Sequence, residues 1–356
     1  MDKPLIYTWL HPHFIEFEDI PAMASKLSGK TSVAVVSTHS SWRGSTGKSA
    51  LWLQRPDGPW LTSCVDELGQ HGIPVQPRVF GGGWKNRWGS SKRVIPVPAQ
   101  YNAANRTDGR QTKDDWLDLF NPEVHPFVWN MVEDFFEKNY VHIPVLDPTL
   151  HLDGMRMTHF VNGWQGTGMT VAEGQAIINS LVDGITKLLP TGWGLAYTCS
   201  SVKKSNDETG RDPVGLLKSG TIDWIKILNY LDPASVRIER VKAWDSDPEW
   251  QALAATLCWP GIGTDPSLDG DYVPGQNESQ INEAWVRGEV LTVLDEYSSL
   301  CLFVYGDGKD GFPPRMSDEI IAALPDAAPA MDDVDDCGDT VLNIEAPGNV
   351  VVNVNR

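Results

Sequence analysis

The protein is a chain of 356 residues with a formal net charge of −18, and hydrophobic residues make up 41% of it. This acidic balance disfavours nucleic acids and anionic membrane surfaces as partners, because binding to either requires a basic face. No apolar run reaches the ~18 residues that span a membrane, so we expect no membrane insertion.

Short apolar runs alternate with amphipathic stretches from the start of the chain. The intervening helices are predicted at 19–27, 58–72 and 121–139, and an irregular insertion spans roughly 85–115. The first four predicted strands are LIYTWL (5–10), SVAVVSTH (32–39), IPVQPRVF (73–80) and LHLDGMRMTHF (150–160).

The loop after the second strand contains GSTGKS, which is similar to a phosphate-binding loop. The motif G-x-x-x-x-G-K-[ST] would place its first glycine at position 42, but that residue is Trp42. Gly44 is too close to Gly47 for the loop to wrap around a phosphate in the same way. We therefore predict an ordinary βα loop and keep a nucleotide hydrolase only as a third hypothesis.

The second half of the chain continues the same pattern. A capping box, Thr170 to Glu173, begins a helix over 170–189. Four further strands are predicted at 192–200, 221–232, 257–265 and 300–308. A later helix over 279–299 places four residues on one face, namely Ile281, Trp285, Gly288 and Leu291.

Eight strands, nearly all separated by helices over about 320 residues, predict an α/β protein, a (β/α)8 TIM barrel. An open doubly wound sheet is the alternative, although such sheets usually stop nearer five or six strands. Residues 1–320 would form the barrel, and 321–340 an acidic Ala/Asp/Pro linker. Residues 341–356 alternate apolar and polar residues and predict a short β tail, as an oligomer contact or the start of a further domain.

Metal and cofactor chemistry receives little support from the sequence. The five cysteines are scattered without a CxxC pair, which indicates mostly small core residues. His11 and His13 close the first strand as in metal-dependent amidohydrolases, but those enzymes also need histidines after later strands. All eight histidines here lie at or before His159, so we predict neither a metal nor a cofactor.

The candidate catalytic groups are carboxylates that follow the last three strands, since βα loops line the catalytic face of a barrel. Asp232, Asp265 and Asp307 occupy these positions. Two such acids can cleave a glycosidic bond, one as proton donor and the other as nucleophile or base. Each also has a structural alternative: Asp232 as a helix cap, Asp265 as a turn residue before proline, and Asp307 as a loop residue between glycines.

The chain contains 15 tryptophans, several of them in glycine-rich loops, where flat rings suit the apolar faces of sugars. Tryptophans at helical positions, such as Trp129 and Trp250, are expected to pack in the core. The predicted substrate-binding residues lie at strand ends and in loops: Trp9, His11, His39, Trp84, Arg156, His159, Trp164, Tyr230 and Tyr305.

Three segments resemble the bacterial glycoside-hydrolase-like barrels: FNPEVHPFVWNMVEDFFEKN, LHLDGMRM and DPVGLLKSGTIDWIKILNYLD. The sixth strand, ILNYLD, is also similar to that of chitinase-type barrels. The resemblance follows residues 5–315 in order, and it implies the barrel and a carbohydrate ligand. The fourth-strand acids that it implies after Asp153 are replaced here by Arg156, Thr158 and His159.

Two functional hypotheses follow from this departure. In the first hypothesis, the chain is a glycoside hydrolase that acts on a cell-envelope or extracellular polysaccharide and uses the three strand-end aspartates as catalytic groups. Alternatively, it is a catalytically degenerate glycan-binding barrel in a larger assembly, such as a phage tail, with residues 341–356 contacting another copy or an assembly partner. Both hypotheses favour an extracellular or virion-associated location over a cytoplasmic one.

Overall fold

The computed structural model describes residues 3–10, 15, 19–37, 39–41, 51–52, 54–55, 58–80, 118–137, 148–153, 169–228, 232–264, 276, 279–305, 316–329, 342–345 and 351–354. The strands in these ranges are β1 (Leu5–Leu10), β2 (Val33–Ser37), β3 (His39–Ser41), β4 (Leu51–Trp52), β5 (Gln54–Arg55), β6 (Gly58–Pro59), β7 (Val75–Phe80), β8 (Thr149–Asp153), β9 (Gly194–Cys199), β10 (Trp224–Ile227), β11 (Cys258–Gly263), β12 (Ser299–Tyr305), β13 (Leu342–Glu345) and β14 (Val351–Val354). The helices are α1 (Ile20–Leu27), α2 (Trp60–Gln70), α3 (His125–Phe135), α4 (Val171–Thr186), α5 (Lys203–Glu208), α6 (Pro213–Lys218), α7 (Ala234–Lys242), α8 (Pro248–Leu257), α9 (Glu283–Leu294) and α10 (Asp318–Ala323).

Eight parallel strands form a closed barrel in the order β1-β12-β11-β10-β9-β8-β7-β2. The ring closes where β1 pairs with β12, from Leu5 opposite Ser299 to Leu10 opposite Tyr305. The predicted (β/α)8 barrel is therefore confirmed, and the open-sheet alternative is wrong because that sheet would leave β1 and β12 unpaired.

Each barrel strand buries both of its faces, which explains why the strands are nearly continuous apolar runs. On β1, Ile6 and Leu10 belong to the layer between strands and helices, whereas Tyr7 and Trp9 belong to the cluster inside the barrel. Side chains alternate between these two layers because successive residues of a strand point to opposite faces. Interior positions can thus be identified along every barrel strand.

Side chains cap several of the helical segments in the described residues. Asn121 accepts a hydrogen bond from the backbone N–H of Glu123 at the turn that precedes α3. Thr170 and Glu173 form the predicted capping box at the start of α4. Backbone and side-chain hydrogen bonds from Thr170 hold the pKa of Glu173 below its usual value, as expected for a carboxylate that accepts them.

Helix α9 buries a different face from the one predicted. Val286, Val290 and Val293 are buried, and the helix packs on β11 and β12. Leu291, on the predicted face, is 55% exposed. The β-branched valines form the contact with the barrel. Of the four predicted residues, Ile281 is buried and Trp285 packs against the core, whereas Gly288 and Leu291 are exposed.

The GSTGKS segment lies outside the described residues, but the strands on either side of it are described. His39 of β3 pairs with Trp52 of β4 in antiparallel fashion. A phosphate-binding loop leads from a strand directly into a helix. Here the chain returns as a strand instead, which argues against the nucleotide-hydrolase hypothesis.

The described residues after α10 form two different kinds of contact. After α10 the chain still contacts the barrel, since Ala327 and Ala328 donate backbone hydrogen bonds to the carbonyls of Gly29 and Pro4. Further on, β13 and β14 pair with each other in antiparallel fashion, from Leu342 opposite Val354 to Glu345 opposite Val351. The alternating tail therefore supplies its own strand partner.

Replacing Gly210 by alanine is expected to destabilise the fold by roughly 2–5 kcal/mol. Gly210 has φ +71°, and an added Cβ would lie 2.6 Å from Cε1 of Phe120 and 2.9 Å from Cγ1 of Ile178. The backbone contributes about 1–2 kcal/mol, because alanine is strained at positive φ. The steric overlap contributes about 1–3 kcal/mol more.

The control for this prediction is Gly220→Ala, where φ is +72° but no heavy atom lies within 4 Å of the added Cβ. Urea unfolding of the two variants separates the steric contribution from the backbone contribution. Equal losses of unfolding free energy would contradict the close packing of Phe120 and Ile178 around Gly210.

Candidate functional site

The interior of the barrel contains an aromatic layer formed by Tyr7, Trp224 and Trp259. The Tyr7 and Trp259 rings are stacked with centroids 4.0 Å apart and planes at 19°. Trp224, on the neighbouring strand β10, stacks on Trp259 with ring centroids 5.8 Å apart. These rings fill the barrel interior on the amino-terminal side of the next inner positions.

A second layer, which we call the cation layer, consists of Trp9, Arg78, Lys226 and Phe303. Trp9 and Lys226 follow Tyr7 and Trp224 by two residues, so they occupy the next inner positions toward the carboxyl ends of their strands. This is the end of the barrel at which ligands bind in proteins of this fold. The cation layer therefore lies between the aromatic layer and the carboxyl end of the barrel.

The Trp9 indole holds the cation layer together. The guanidinium carbon of Arg78 lies 4.2 Å from the centroid of the Trp9 ring, and the ammonium of Lys226 also lies over that ring. Phe303 meets Trp9 edge to face at 5.3 Å. Electrostatic attraction between a cation and the electron-rich ring face is strongest when both are desolvated, and Trp9 is only 2% exposed.

Hydrogen-bonding side chains accompany these cations on β2, β7 and β8. Arg78 donates from Nη1 to Oγ of Ser37 at 2.8 Å. His151 and Gln76 share a hydrogen bond between Nε2 and Oε1. Because β7 pairs with both β2 and β8, these polar groups form a continuous inner strip on one side of the barrel.

The electrostatic influence of the cation layer reaches Cys301, which lies inside the barrel on β12. Burial raises the pKa of the Cys301 thiol to about 11, while Lys226, which also hydrogen-bonds to it, and Arg78 act in the opposite direction. Burial outweighs the two cations, so the net effect favours the neutral thiol.

Strand β11 leaves room toward the carboxyl end of the barrel. After Trp259, its next two inner positions are Gly261 and Gly263. Glycine has no side chain, so β11 contributes no inward-pointing group above the aromatic layer. A ligand entering beside β11 would meet the cation layer before it met a wall of apolar side chains.

The three predicted catalytic acids differ in how far the structure describes them. Asp232 follows β10, its side chain is 34% exposed, and its Oδ2 pairs with Nη1 of Arg240 on α7 at 2.5 Å. Asp265 and Asp307 lie outside the described residues. The structure thus positions one acid at the carboxyl side of a barrel strand and shows its partner.

Among the predicted substrate-binding residues, Trp9 lies inside the cation layer, where its ring is covered rather than open to solvent. The backbone of His39 is in β3, and that of Tyr305 ends β12 opposite Leu10 of β1, at the carboxyl edge of the barrel. The remaining predicted residues lie outside the described residues: His11, Trp84, Arg156, His159, Trp164 and Tyr230.

Sequence reasoning missed Lys226, His151 and Gln76 as functional candidates. The available signal was the presence of polar residues within apolar strands, as Lys226 in WIKI (224–227) and His151 in TLHLD (149–153). Burying a polar side chain in a strand covered on both faces costs free energy unless its polar atoms form hydrogen bonds or the residue has a function. The pattern could therefore have marked these positions, although it could not say that they point into the barrel.

Other predictions about polar and aromatic residues are also resolved. Cys64, Cys199, Cys258 and Cys301 are all buried, as expected for small core residues. Trp250 is fully buried and donates to the carbonyl of Val241 at 2.9 Å.

Within the described part of the chain, no group of three His, Cys, Asp or Glu side chains could hold a metal, and no helix has the length and apolarity to cross a membrane.

A polar recess on the outside of the barrel, beside α4 and α5, is built from paired groups. Lys203 pairs with Asp207 at 3.3 Å, and Gln175 donates to the same carboxylate. At its edge, Lys218 contacts Asp245 and Asp247, and its hydrogen bonds hold the pKa of both acids below the usual value. These contacts join neighbouring helices, so the barrel interior is the stronger candidate site.

Comparison with known proteins supports the fold. No protein-family model matches the chain, and no curated protein matches its sequence. The endo-1,4-β-D-mannanase of Thermotoga petrophila RKU-1 has a similar structure, with a TM-score of 0.58 at 13% identity, covering 90% of this chain and 98% of that one. The catalytic domain of a β-amylase from Paenibacillus polymyxa gives 0.57 at 8% identity, covering 90% and 97%.

A chitinase from Rhizomucor miehei gives a TM-score of 0.50 at 12% identity, covering 90% of this chain and 98% of that one. Because the sequence identities are this low, the structural similarity establishes the architecture alone. The resemblance to glycoside-hydrolase (β/α)8 barrels is thereby confirmed at the level of the fold.

Proposed function

We propose that this barrel binds carbohydrate at the carboxyl ends of its strands and hydrolyses a glycosidic bond of a cell-envelope or extracellular polysaccharide. The observation behind the proposal is a closed barrel whose described inner strand ends present aromatic and hydrogen-bonding side chains around Trp9. A mannanase, a β-amylase and a chitinase share this architecture, which directs the proposal toward carbohydrate.

The proposed chemistry uses two carboxylates among Asp232, Asp265 and Asp307. One protonates the leaving glycosidic oxygen, and the other attacks the anomeric carbon or activates a water molecule. Sequence position supports this choice, since each acid follows a barrel strand at the carboxyl side. Loop tryptophans such as Trp84 and Trp164 would stack on sugar rings beside the acids.

The experiment is incubation of the full-length protein with a panel of purified glycans, including mannan, starch, chitin and bacterial envelope polysaccharides. Binding is measured by calorimetry, and hydrolysis by release of reducing ends. We expect at least one polysaccharide both to bind and to be cleaved. If the protein bound no glycan of the panel, the result would contradict the proposal.

A second candidate function is glycan binding without hydrolysis, within a larger assembly such as a phage tail. It is favoured by Arg156, Thr158 and His159, which stand where acids were expected after the fourth strand. Binding without any release of reducing ends, together with self-association measured by sedimentation, would select this function over the first.

A further inference from the structure

We propose that Phe80 and Asp153 form a sugar-binding pair at the carboxyl end of the barrel, in which Asp153 accepts hydrogen bonds from the hydroxyl groups of one sugar ring. This inference rests on the proposed function, and it specifies which residues hold the sugar and which of its groups they recognise. It is carried by the register of β7 and β8, in which Phe80 and Asp153 are partners at the ends of the two strands.

The same register places both residues on the inner face of the barrel. Arg78 pairs with His151, and Phe80 pairs with Asp153. Arg78 lies over the ring of Trp9, which belongs to the cluster inside the barrel. Because inner and outer positions alternate along a strand, Phe80 and Asp153 take the next inner positions. They also end β7 and β8, on the side of the barrel where ligands bind in this fold.

The barrel interior one level below this pair is filled. Trp9, His151 and Lys226 are each at most 2% exposed, so they leave no path for a ligand to the aromatic layer. A ligand that approaches along β7 and β8 from the carboxyl end therefore reaches the positions of Phe80 and Asp153 before it reaches the cation layer.

Asp153 is the only aspartate or glutamate within the eight barrel strands, taken at the bounds that the structure gives them. An acidic residue in a strand covered on both faces costs free energy unless polar groups bind its carboxylate or the residue has a function. A carboxylate accepts hydrogen bonds through two oxygens, and each sugar hydroxyl can donate one. The position of Asp153 therefore favours a ligand that brings neighbouring hydroxyl groups to the end of β8.

Phe80 supplies the second feature that a sugar requires. A sugar ring has an apolar face of C–H groups as well as hydroxyl groups, and aromatic residues suit the apolar face. Phe80 is an aromatic residue at the register position beside Asp153. On β11 the inner positions toward the carboxyl end are Gly261 and Gly263, which leave space for the rest of the ring.

A purely structural role for Asp153 would be an ion pair with Arg78, which lies on the neighbouring strand one inner position below it. An ion pair of this kind would support the fold without discriminating between sugars. The experiment therefore measures the recognition of single hydroxyl groups beside the stability of each variant.

The test is calorimetric titration of the full-length protein with mannotriose, maltotriose, chitotriose and an envelope-derived trisaccharide. Each is compared with synthetic forms in which one hydroxyl is replaced by hydrogen. We expect at least one parent sugar to bind roughly ten- to hundredfold more tightly than a deoxy form, as expected for a hydrogen bond to a charged group. Asp153→Ala should bring this ratio close to one, and Asp153→Asn should reduce it.

Phe80→Leu separates the two members of the pair. It removes the aromatic ring and keeps an apolar side chain, so it should weaken the binding of parent and deoxy sugars alike, by about three- to tenfold. The ratio between parent and deoxy forms should stay at the wild-type value, because the carboxylate of Asp153 is still present.

Asp223→Asn is the matched control. Asp223 directly precedes β10 at the amino end of the barrel, and its carboxylate accepts a hydrogen bond from the backbone N–H of Leu195 at 2.8 Å. This variant should leave the ratio unchanged. Thermal melts of every variant confirm folding, and if Asp153→Ala does not fold, Asp153→Asn decides, because its amide has nearly the size of the carboxylate.

Each other outcome has a defined meaning. If both Asp153 variants keep the full ratio, the inference fails while the proposed function stands. If Asp153→Asn and Arg78→Gln lower the melting temperature equally and leave the ratio unchanged, Asp153 is an ion-pair partner of Arg78 and the inference is overturned. If no saccharide binds to the wild-type protein, the inference and the proposed function both fail.

Discussion

Asp265→Asn and Asp307→Asn are each expected to lower glycosidic turnover by about 10²–10⁴-fold, the usual contribution of a positioned acid or base. An amide cannot give up or accept the proton that the reaction moves, yet it has nearly the same size as the carboxylate. The loss should appear in kcat more than in KM, because the acids act on the transition state. The measurement is reducing-end release from the polysaccharide that the wild-type protein cleaves.

The control for these two variants is Asp318→Asn, which changes an acid on the surface. Asp318 pairs with Lys26 at 2.6 Å, and its side chain is 71% exposed. Surface pairs of this kind contribute about 0–1 kcal/mol, so turnover should stay at the wild-type level. Full activity of both the Asp265 and Asp307 variants would remove these residues from the catalytic assignment.

Asp232 needs a separate comparison because the structure shows it paired with Arg240. Asp232→Asn removes the carboxylate, whereas Arg240→Gln removes only its partner. If Asp232 takes part in the reaction, the first variant should lose about 10²–10⁴-fold in turnover and the second less than tenfold. If both variants lose little turnover and lose it equally, Asp232 serves to hold α7 in place and takes no part in the reaction.

Trp259→Ala is expected to destabilise the barrel by about 3–5 kcal/mol, the range measured when a buried tryptophan or phenylalanine is truncated. Trp259 is 2% exposed, and its ring stacks on Tyr7 and lies near Trp224 and His151. Its removal leaves a cavity in the aromatic layer and ends each of these ring contacts. Because domains are stable by only roughly 5–15 kcal/mol, the loss should be a large part of the total.

Guanidinium unfolding measures this effect, with Leu291→Ala as the control. Leu291 is 55% exposed on α9, so its truncation should change the free energy of unfolding by about 0.5 kcal/mol or less. Trp259→Phe should fall between the two, since it keeps one ring in the layer. A Trp259→Ala variant as stable as Leu291→Ala would mean that the aromatic layer does not support the barrel.

Local signals in the sequence were sufficient for the eight barrel strands and for several of the helices. Apolar runs such as LIYTWL and SVAVVS predicted β1 and β2, and the Thr170–Glu173 capping box predicted the start of α4. These signals are local because hydrophobic period and cap chemistry involve residues close in sequence. On α9 the same reasoning chose the stripe through Leu291 instead of the valines that are buried, since several apolar stripes compete on one helix.

The sequence by itself therefore determined the number and order of the barrel strands, and with them the (β/α)8 class. Only the tertiary structure decided which residues point into the barrel, because strands buried on both faces show no alternation that separates inside from outside. Closure of β1 on β12 and the pairing of β7 with β8 bring Trp9, Arg78 and Lys226 together from distant parts of the chain. No local pattern records that meeting, so the cation layer was visible only in three dimensions.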